Sequence, residues 1–235
     1  MKIEKGDFIS VSFTGKLADT QHVFDTTDEA TAKKNRIHNT NKTYGPIIVC
    51  VGEKQVLEGL DESFIGKQAQ ESYTVHCPAI KAFGKKDAKL IQLIPTRKFK
   101  EQQITPTVNT TVYVDNRMGV IRSSSGGRTL VDFNHPFANK DVSYDVTIEQ
   151  KVTDPAQKID AILALTIKEG KAVVSDKSAT ITTKMEVPEQ FQKVLSTHIQ
   201  KLVTGITNVE FAVKPETKSA EKPTNTQNNT NHKKE

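Results

Sequence analysis

The chain has 235 residues, 35% of them hydrophobic and 26% charged, enough for one large or two to three small soluble domains. Its formal charge is +5; the stretch from Lys214 to Glu235, with five lysines against three glutamates, supplies +2, leaving +3 for the other 213 residues. Such a dilute charge is no nucleic-acid footprint and does not name a partner, no run approaches the ~20 apolar residues of a membrane span, and the opening Met1-Lys2-Ile3-Glu4-Lys5-Gly6-Asp7 holds no apolar leader core, so cytoplasm is the default compartment.

Phe8 to Leu17 alternates apolar and polar residues and predicts a half-buried antiparallel strand, followed by a second short one at Val23 to Thr27. A helical turn is expected at Glu29 to Lys34, then an Asn-rich loop, then a strand at Ile47 to Gly52. Val56, Leu57, Leu60 and Phe64 share one face of a short helix that Gly66 stops, with Asp61 and Glu62 on its solvated side. After a strand at Glu71 to Cys77 and the run Ala82-Phe83-Gly84, the chain makes an excursion of about fifty residues, too long for a structureless loop. Strand-like runs at Leu90 to Ile94, Thr110 to Val114, Gly119 to Ile121 and Arg128 to Val131, with turns at Asp115-Asn116 and Ser124-Ser125-Gly126-Gly127, predict a small all-β domain there. The first domain resumes at Asn134-His135-Pro136 and ends on a strand at Val142 to Ile148. Asp154-Pro155 opens a helix, and a hairpin around Asp176-Lys177, a helix from Pro188 to Val203 and a strand at Val209 to Val213 complete an α-β-β-α-β unit. Beyond Pro215 no apolar period remains, which predicts disorder.

The two cysteines, Cys50 and Cys77, stand in apolar runs without metal or redox spacing and read as buried free thiols, and the six histidines are scattered, so no metal and no cofactor is expected.

Several runs, in this order, resemble the FKBP-type peptidyl-prolyl cis/trans isomerases. Val11-Ser12-Phe13-Thr14-Gly15-Lys16-Leu17 is similar to the family's V-x-Y-T-G-x-L strand, Phe24-Asp25 to its F-D pair, and Val51 to Leu60 to its L-G-x-x-x-V-I-x-G-W/L helix. Ala82-Phe83-Gly84 resembles the A-Y-G loop. Asn134-His135-Pro136-Phe137-Ala138-Asn139-Lys140 resembles the N-H-P-L-A-G-K run of the SlyD-like, archaeal long-type branch, in which a chaperone domain is inserted. The resemblance covers residues 1 to 150. It implies an FKBP-type antiparallel half-barrel with a short helix (1–84 and 132–151) and an inserted all-β domain (85–131); with the small C-terminal α/β domain (152–214) and disordered tail (215–235) read from their own residue pattern, the expected fold class is α+β.

The resemblance implies an enzyme that catalyses X-Pro isomerisation in unfolded or proline-containing polypeptides. Its catalytic residues would be Asp25, Phe13, Phe83 and Tyr144, and its substrate walls Phe24, Val56, Leu57, Leu60, Ile47 and Phe137, with the Leu57 N–H anchoring the carbonyl after proline. Asp25, the single polar group near the amide, would act electrostatically, since no second carboxylate or base adjoins it. Phe13 and Phe83 stand where tyrosines are usual, Tyr144 where phenylalanine is, and Leu60 replaces a tryptophan, which predicts a shallow pocket and low activity on short peptides. In the insert, Ile91, Leu93, Ile94, Val112, Val114, Met118, Val120 and Ile121 exceed what so small a core buries and are expected to offer clients an apolar groove. Partners in nucleic acid and membrane are not expected; a homodimer through the C-terminal domain is. The alternative function is a holdase whose FKBP domain is weak or inactive.

Overall fold

In the computed structural model, residues 2–167 and 170–213 are described, and the tail expected to be disordered lies outside them. The chain divides into two compact units, Met1–Ala161 and the residues from Ile162 onward.

In the first unit, the strands β1 (Phe8–Leu17) and β2 (Val23–Thr26) precede helix α1 (Glu29–Lys34), which Asp28 caps by accepting from the Thr31 N–H at 2.7 Å. Strand β3 (Ile47–Cys50), helix α2 (Glu58–Ser63) and strand β4 (Ser72–Cys77) follow. Then come β5 (Ile91–Pro95), helix α3 (Thr96–Glu101), β6 (Thr111–Val114), β7 (Arg117–Ser125), β8 (Arg128–Asp132) and β9 (Val142–Val152).

These strands form two antiparallel sheets. The first has the order β2-β1-β9-β4, with β3 pairing the opening residues of β1 on the edge that β2 uses at its close. Its long central pair, β1 against β9, arises because both runs alternate apolar and polar residues from Val11 to Leu17 and from Val142 to Ile148, so one face can be buried there; the register shifts between Ser10 and Val11, where that alternation ends. Ile9, Val11, Phe13, Val142, Tyr144, Val146 and Ile148 fill that face and meet Leu60 and Phe64 from the α2 segment.

The second sheet has the order β5-β8-β7-β6. Its hairpin turns are Asp115-Asn116 and Gly126-Gly127, all four with φ between 49° and 75°, the backbone that two-residue turns demand. The expectation of an all-β segment here is corrected by α3, whose Phe99 is buried against Ile94, Val112, Ile121 and Val131. A helix of six residues carries a single apolar side chain, so it shows no period in the sequence.

The expected helix from Val56 is also shorter. Leu57, at ψ 140°, is its N-cap, and Val56 stands before it in a bend.

Helix α4 (Pro155–Thr166) leads from the first unit into the second. There β10 (Lys171–Ser175) and β11 (Ser178–Thr183) make the expected hairpin, and α5 (Glu189–Leu202) returns the chain so that β12 (Asn208–Val213) runs parallel to β11. Leu195 and Ile199 of α5 are buried, as are Ala179 and Ile181 of β11. Among the described residues no helix is long and apolar enough to cross a membrane.

Candidate active site

A cavity of about 690 Å³ opens at the margin of the first core, where α2, the end of β1, β2 and the segment before β9 approach one another. All ten residues expected at the isomerase site line it: Phe13, Phe24, Asp25, Ile47, Val56, Leu57, Leu60, Phe83, Phe137 and Tyr144. Phe24 is the hub of its wall. Its ring lies 5.5 Å from Phe83, 5.2 Å from Phe137 and 5.8 Å from Tyr144, with the first and last in edge-to-face contact. Phe13 meets Tyr144 edge-on at 5.6 Å. Such T-shaped pairs favour one mutual orientation, which holds the rings as a wall rather than a loose cluster.

Gly15 makes this wall possible. A Cβ there would stand 2.6 Å from Cε1 of Tyr144 and 2.9 Å from Cζ of Phe24, so the glycine of the Thr-Gly pair serves close packing. Burial first, and the Asp25 and Cys77 charges after it, push the Tyr144 phenol upward, so it stays protonated near neutrality.

The approach to Val56 and Leu57 is held by Asp61, which corrects its reading as solvated. Asp61 is 4% exposed, and its carboxylate accepts the N–H groups of Gly52 at 2.9 Å and Lys54 at 3.1 Å. It thereby ties the loop after β3 to the first turn of α2. Gln55 adds a second tie, its Oε1 accepting from the Cys50 N–H at 2.8 Å. Glu62, as expected, is exposed, and it binds Lys81 at 2.6 Å.

The polar side of the cavity is richer than the sequence suggests. Asp25 is not the single polar group: Lys42 brings its Nζ to 2.6 Å from Asp25 Oδ1 and also donates to the Thr26 carbonyl at 3.1 Å. Lys42 sits 5.6 Å above the Tyr44 ring, Tyr44 stacks on His38, and the Tyr44 hydroxyl accepts from the Asn39 N–H, so the Asn-rich loop folds on itself and presents the lysine. His135 lies flat on Phe83 at 4.5 Å, continuing the aromatic wall toward the second sheet. No periodicity marks Lys42 or His135; His135 lay inside the quoted Asn-His-Pro run, whereas Lys42 carried no signal.

Among the described residues, one carboxylate and no thiol line the cavity. Cys50 and Cys77 are buried elsewhere, and burial pushes both thiols up to about 11. The lining therefore offers an aromatic wall and, opposite it, a polar side that carries the Asp25–Lys42 ion pair. It suits a reaction in which no bond breaks.

The eight residues expected to meet clients separate. Ile94, Val112, Val114 and Ile121 are buried in the core of the second sheet, which corrects their assignment to an open groove. Each faces Phe99 or its neighbours, the cover that the undetected α3 provides. Ile91 and Val120 are half-buried, while Leu93 and Met118 are exposed.

The family model described as FKBP-type peptidyl-prolyl cis-trans isomerase matches residues 1–101, and that of the FKBP26 IF domain matches residues 92–137. The short-type peptidyl-prolyl cis-trans isomerase of Methanocaldococcus jannaschii is 32% identical over 155 residues, covering 66% of this chain and 96% of that protein. The FKBP-type 16 kDa peptidyl-prolyl cis-trans isomerase of Escherichia coli (strain K12) is 29% identical over 158 residues, covering 66% and 95%. Among solved structures, the three FKBP domains of wheat FKBP73 align with 66% of this chain and 42% of that one, at 20% identity and a TM-score of 0.34. With 32% identity to a relative spanned almost end to end, this chain belongs to the FKBP-type peptidyl-prolyl cis/trans isomerase family.

Proposed function

We propose that the chain isomerises X-Pro bonds in unfolded polypeptides by a non-covalent mechanism in a desolvating pocket, and that residues 85–131 hold those polypeptides beside the cavity. The observation that carries the catalytic part is the aromatic wall around Phe24 with a single ion pair at its rim. Rotation about a peptide bond meets a barrier of ~18–20 kcal/mol because the planar amide gains resonance and charge separation. Twisting removes that separation, so an apolar enclosure destabilises the planar form more than the twisted one, and only such differential binding raises the rate. Phe13, Phe24, Phe83 and Tyr144 enclose the prolyl ring, the Leu57 N–H anchors the following carbonyl, and Asp25, oriented by Lys42, acts on the amide electrostatically.

In this reading 1–84 with 132–151 form the isomerase domain of a SlyD-like, long-type chain, 85–131 an inserted chaperone domain, and 152–214 an appendage through which two copies pair. The match of residues 92–137 to the FKBP26 IF domain supports the insertion, and exposed Met185, Phe191 and Val194 support the pairing. Cytoplasm suits a chain whose described helices do not span a membrane. Holding a client next to the cavity raises the local concentration of its prolines.

The test is the refolding rate of a protein limited by a trans-to-cis prolyl step, with catalytic amounts of wild type, Asp25→Ala and a variant lacking residues 86–131. Acceleration by wild type, reduced about tenfold by Asp25→Ala, and lost on the protein but kept on a proline tetrapeptide when 86–131 are removed, supports the proposal. An unchanged rate with suppressed aggregation at stoichiometric amounts would make the chain a holdase instead.

A further inference from the structure

The second sheet has two unlike faces. Val131 pairs with Gln92 and Ile121, and Val112 with Gly119, on the side that Phe99 covers. Side chains alternate along a strand, so the pairs Leu93 with Leu130 and Tyr113 with Met118 stand on the other side. There Leu93 is 61%, Tyr113 65% and Met118 48% exposed. Arg128 shares that face two residues before Leu130, and Arg122, at the bulge between Ile121 and Ser123, reaches it through Asp132.

Charge is concentrated in the same segment. Residues 85–131 hold nine lysines and arginines against three acids, a net +6, so the other 188 residues together carry −1. Arg97, Lys98 and Lys100 of α3 are exposed and add to the field from the opposite side. Two of the three acids, Glu101 and Asp115, stand outside the sheet's open face, on α3 and in the β6–β7 turn.

We propose that the open face of β5-β8-β7-β6 takes an extended polypeptide segment that is both apolar and acidic. This rests on the reading that 85–131 hold clients, and adds which clients they prefer. Apolar side chains of the segment cover Leu93, Leu130, Tyr113 and Met118, while its carboxylates meet Arg128; Arg122 is held by Asp132 and contributes only to the net charge of the segment. An extended strand can also align along β5 or β6, the two edges of the sheet. Single-stranded nucleic acid is a poorer fit, because it is held by rows of stacking rings and this face offers one, Tyr113. Leu130 lies five residues before His135 in the cavity wall, at most ~17 Å along the chain, so one segment of about six residues reaches from face to cavity.

The experiment measures binding of two labelled, unstructured peptides to the full chain by fluorescence anisotropy. Both carry the same apolar residues and no proline; one is flanked by glutamates, the other by lysines. The acidic peptide is expected to bind about tenfold tighter at low salt, and the gap should close at 0.5 M salt, where the screening length falls to a few ångströms. Arg128→Glu should close the gap without moving the thermal midpoint, and Leu93→Ser with Tyr113→Ser should weaken both peptides. Equal binding of the two, insensitive to salt, overturns the charge preference and leaves client holding intact. Binding of neither overturns client holding itself. Displacement of the acidic peptide by an unstructured RNA at lower concentration than by unlabelled peptide makes the face a nucleic-acid surface and overturns the proposal. Loss of peptide binding in step with self-association on sedimentation, abolished by Tyr113→Ser, assigns the face to a second copy and overturns it as well.

Discussion

The two sheets of the first unit bury themselves by different means. The core packed on the five-stranded sheet gathers fourteen buried side chains, ten of them from its strands, enough to close a core and still leave a ring of aromatics at its margin to form a cavity. The four-stranded sheet has six, and these suffice for one face only. The same alternation of side chains thus yields a walled pocket in one place and a bare apolar face in the other. What differs is how much covering structure the sequence supplies: α2 and the segments from Ala82 and His135 on one side, the six residues of α3 on the other.

The comparison breaks most sharply when each cover is removed. Phe64→Ala and Phe99→Ala each delete a fully buried ring and should cost about 3–5 kcal/mol. On urea titration, Phe64→Ala is expected to lower the midpoint of the isomerase-linked transition and Phe99→Ala to leave tetrapeptide isomerisation intact while client binding is lost. If Phe99→Ala abolished tetrapeptide turnover, the two sheets would be one cooperative body.

Two glycines give a finer contrast. Gly15→Ala drives a Cβ into Tyr144 and Phe24, and Gly119→Ala drives one to 2.6 Å from Val131 and 2.8 Å from Phe133. Each should cost about 1–3 kcal/mol by overpacking. Only Gly15→Ala should lower kcat/KM on a tetrapeptide, and equal losses in both variants would refute the assignment of the cavity.

Asp132, 3% exposed at the exit from the second sheet, separates the two by pH. Burial alone would raise its carboxyl, but hydrogen bonds from Lys86, Asn134 and Arg122 outweigh that and hold it well below the usual carboxylate range. A depressed folded value contributes stability that is complete above the unfolded carboxylate range, near pH 4, and is lost as pH falls through the folded value. The second sheet should therefore loosen in acid, and Asp132→Asn should cost about 1–3 kcal/mol at pH 7 and flatten the acid limb, as followed by circular dichroism against pH.

The smallest effect belongs to Lys42. Its pair with Asp25 is half exposed, so Lys42→Met should change stability by less than about 1 kcal/mol. Tetrapeptide turnover should nevertheless fall, and Lys42→Arg should restore it. No change in turnover would leave Asp25 oriented by its backbone alone.

Much of this was legible in the sequence, and the failures have physical causes. Strand Phe8–Leu17 and the hairpin about Asp176 stand where alternation and turn chemistry put them, because both signals are local. The ten cavity residues lie on seven separate stretches of chain, and ordered motifs rather than periodicity gather eight of them, all but Ile47 and Tyr144. Lys42 and Asp61 escaped because each works by a hydrogen bond to a distant or turned backbone, which leaves no mark on hydrophobic pattern. The four buried residues of the second sheet were misassigned because α3, six residues long, hides in a lysine-rich run. The charge of that segment escaped for a simpler reason, since a chain-wide +5 spreads over 235 residues what 47 of them concentrate as +6.

Strand β9 pairs with β1 on one side and β4 on the other, so it is the centre of the five-stranded sheet, yet the ribosome delivers it only after the whole 85–131 segment has emerged. Until then β1, with Phe13 already in place, has only β2 and β3 for neighbours. The second sheet, two of whose three pairings are hairpins and all of whose strands precede β9, can close first. A nascent copy of this protein can therefore complete its second sheet before it owns the aromatic-walled cavity, and passes through a stage in which its own half-built first sheet is the nearest unfolded chain within reach.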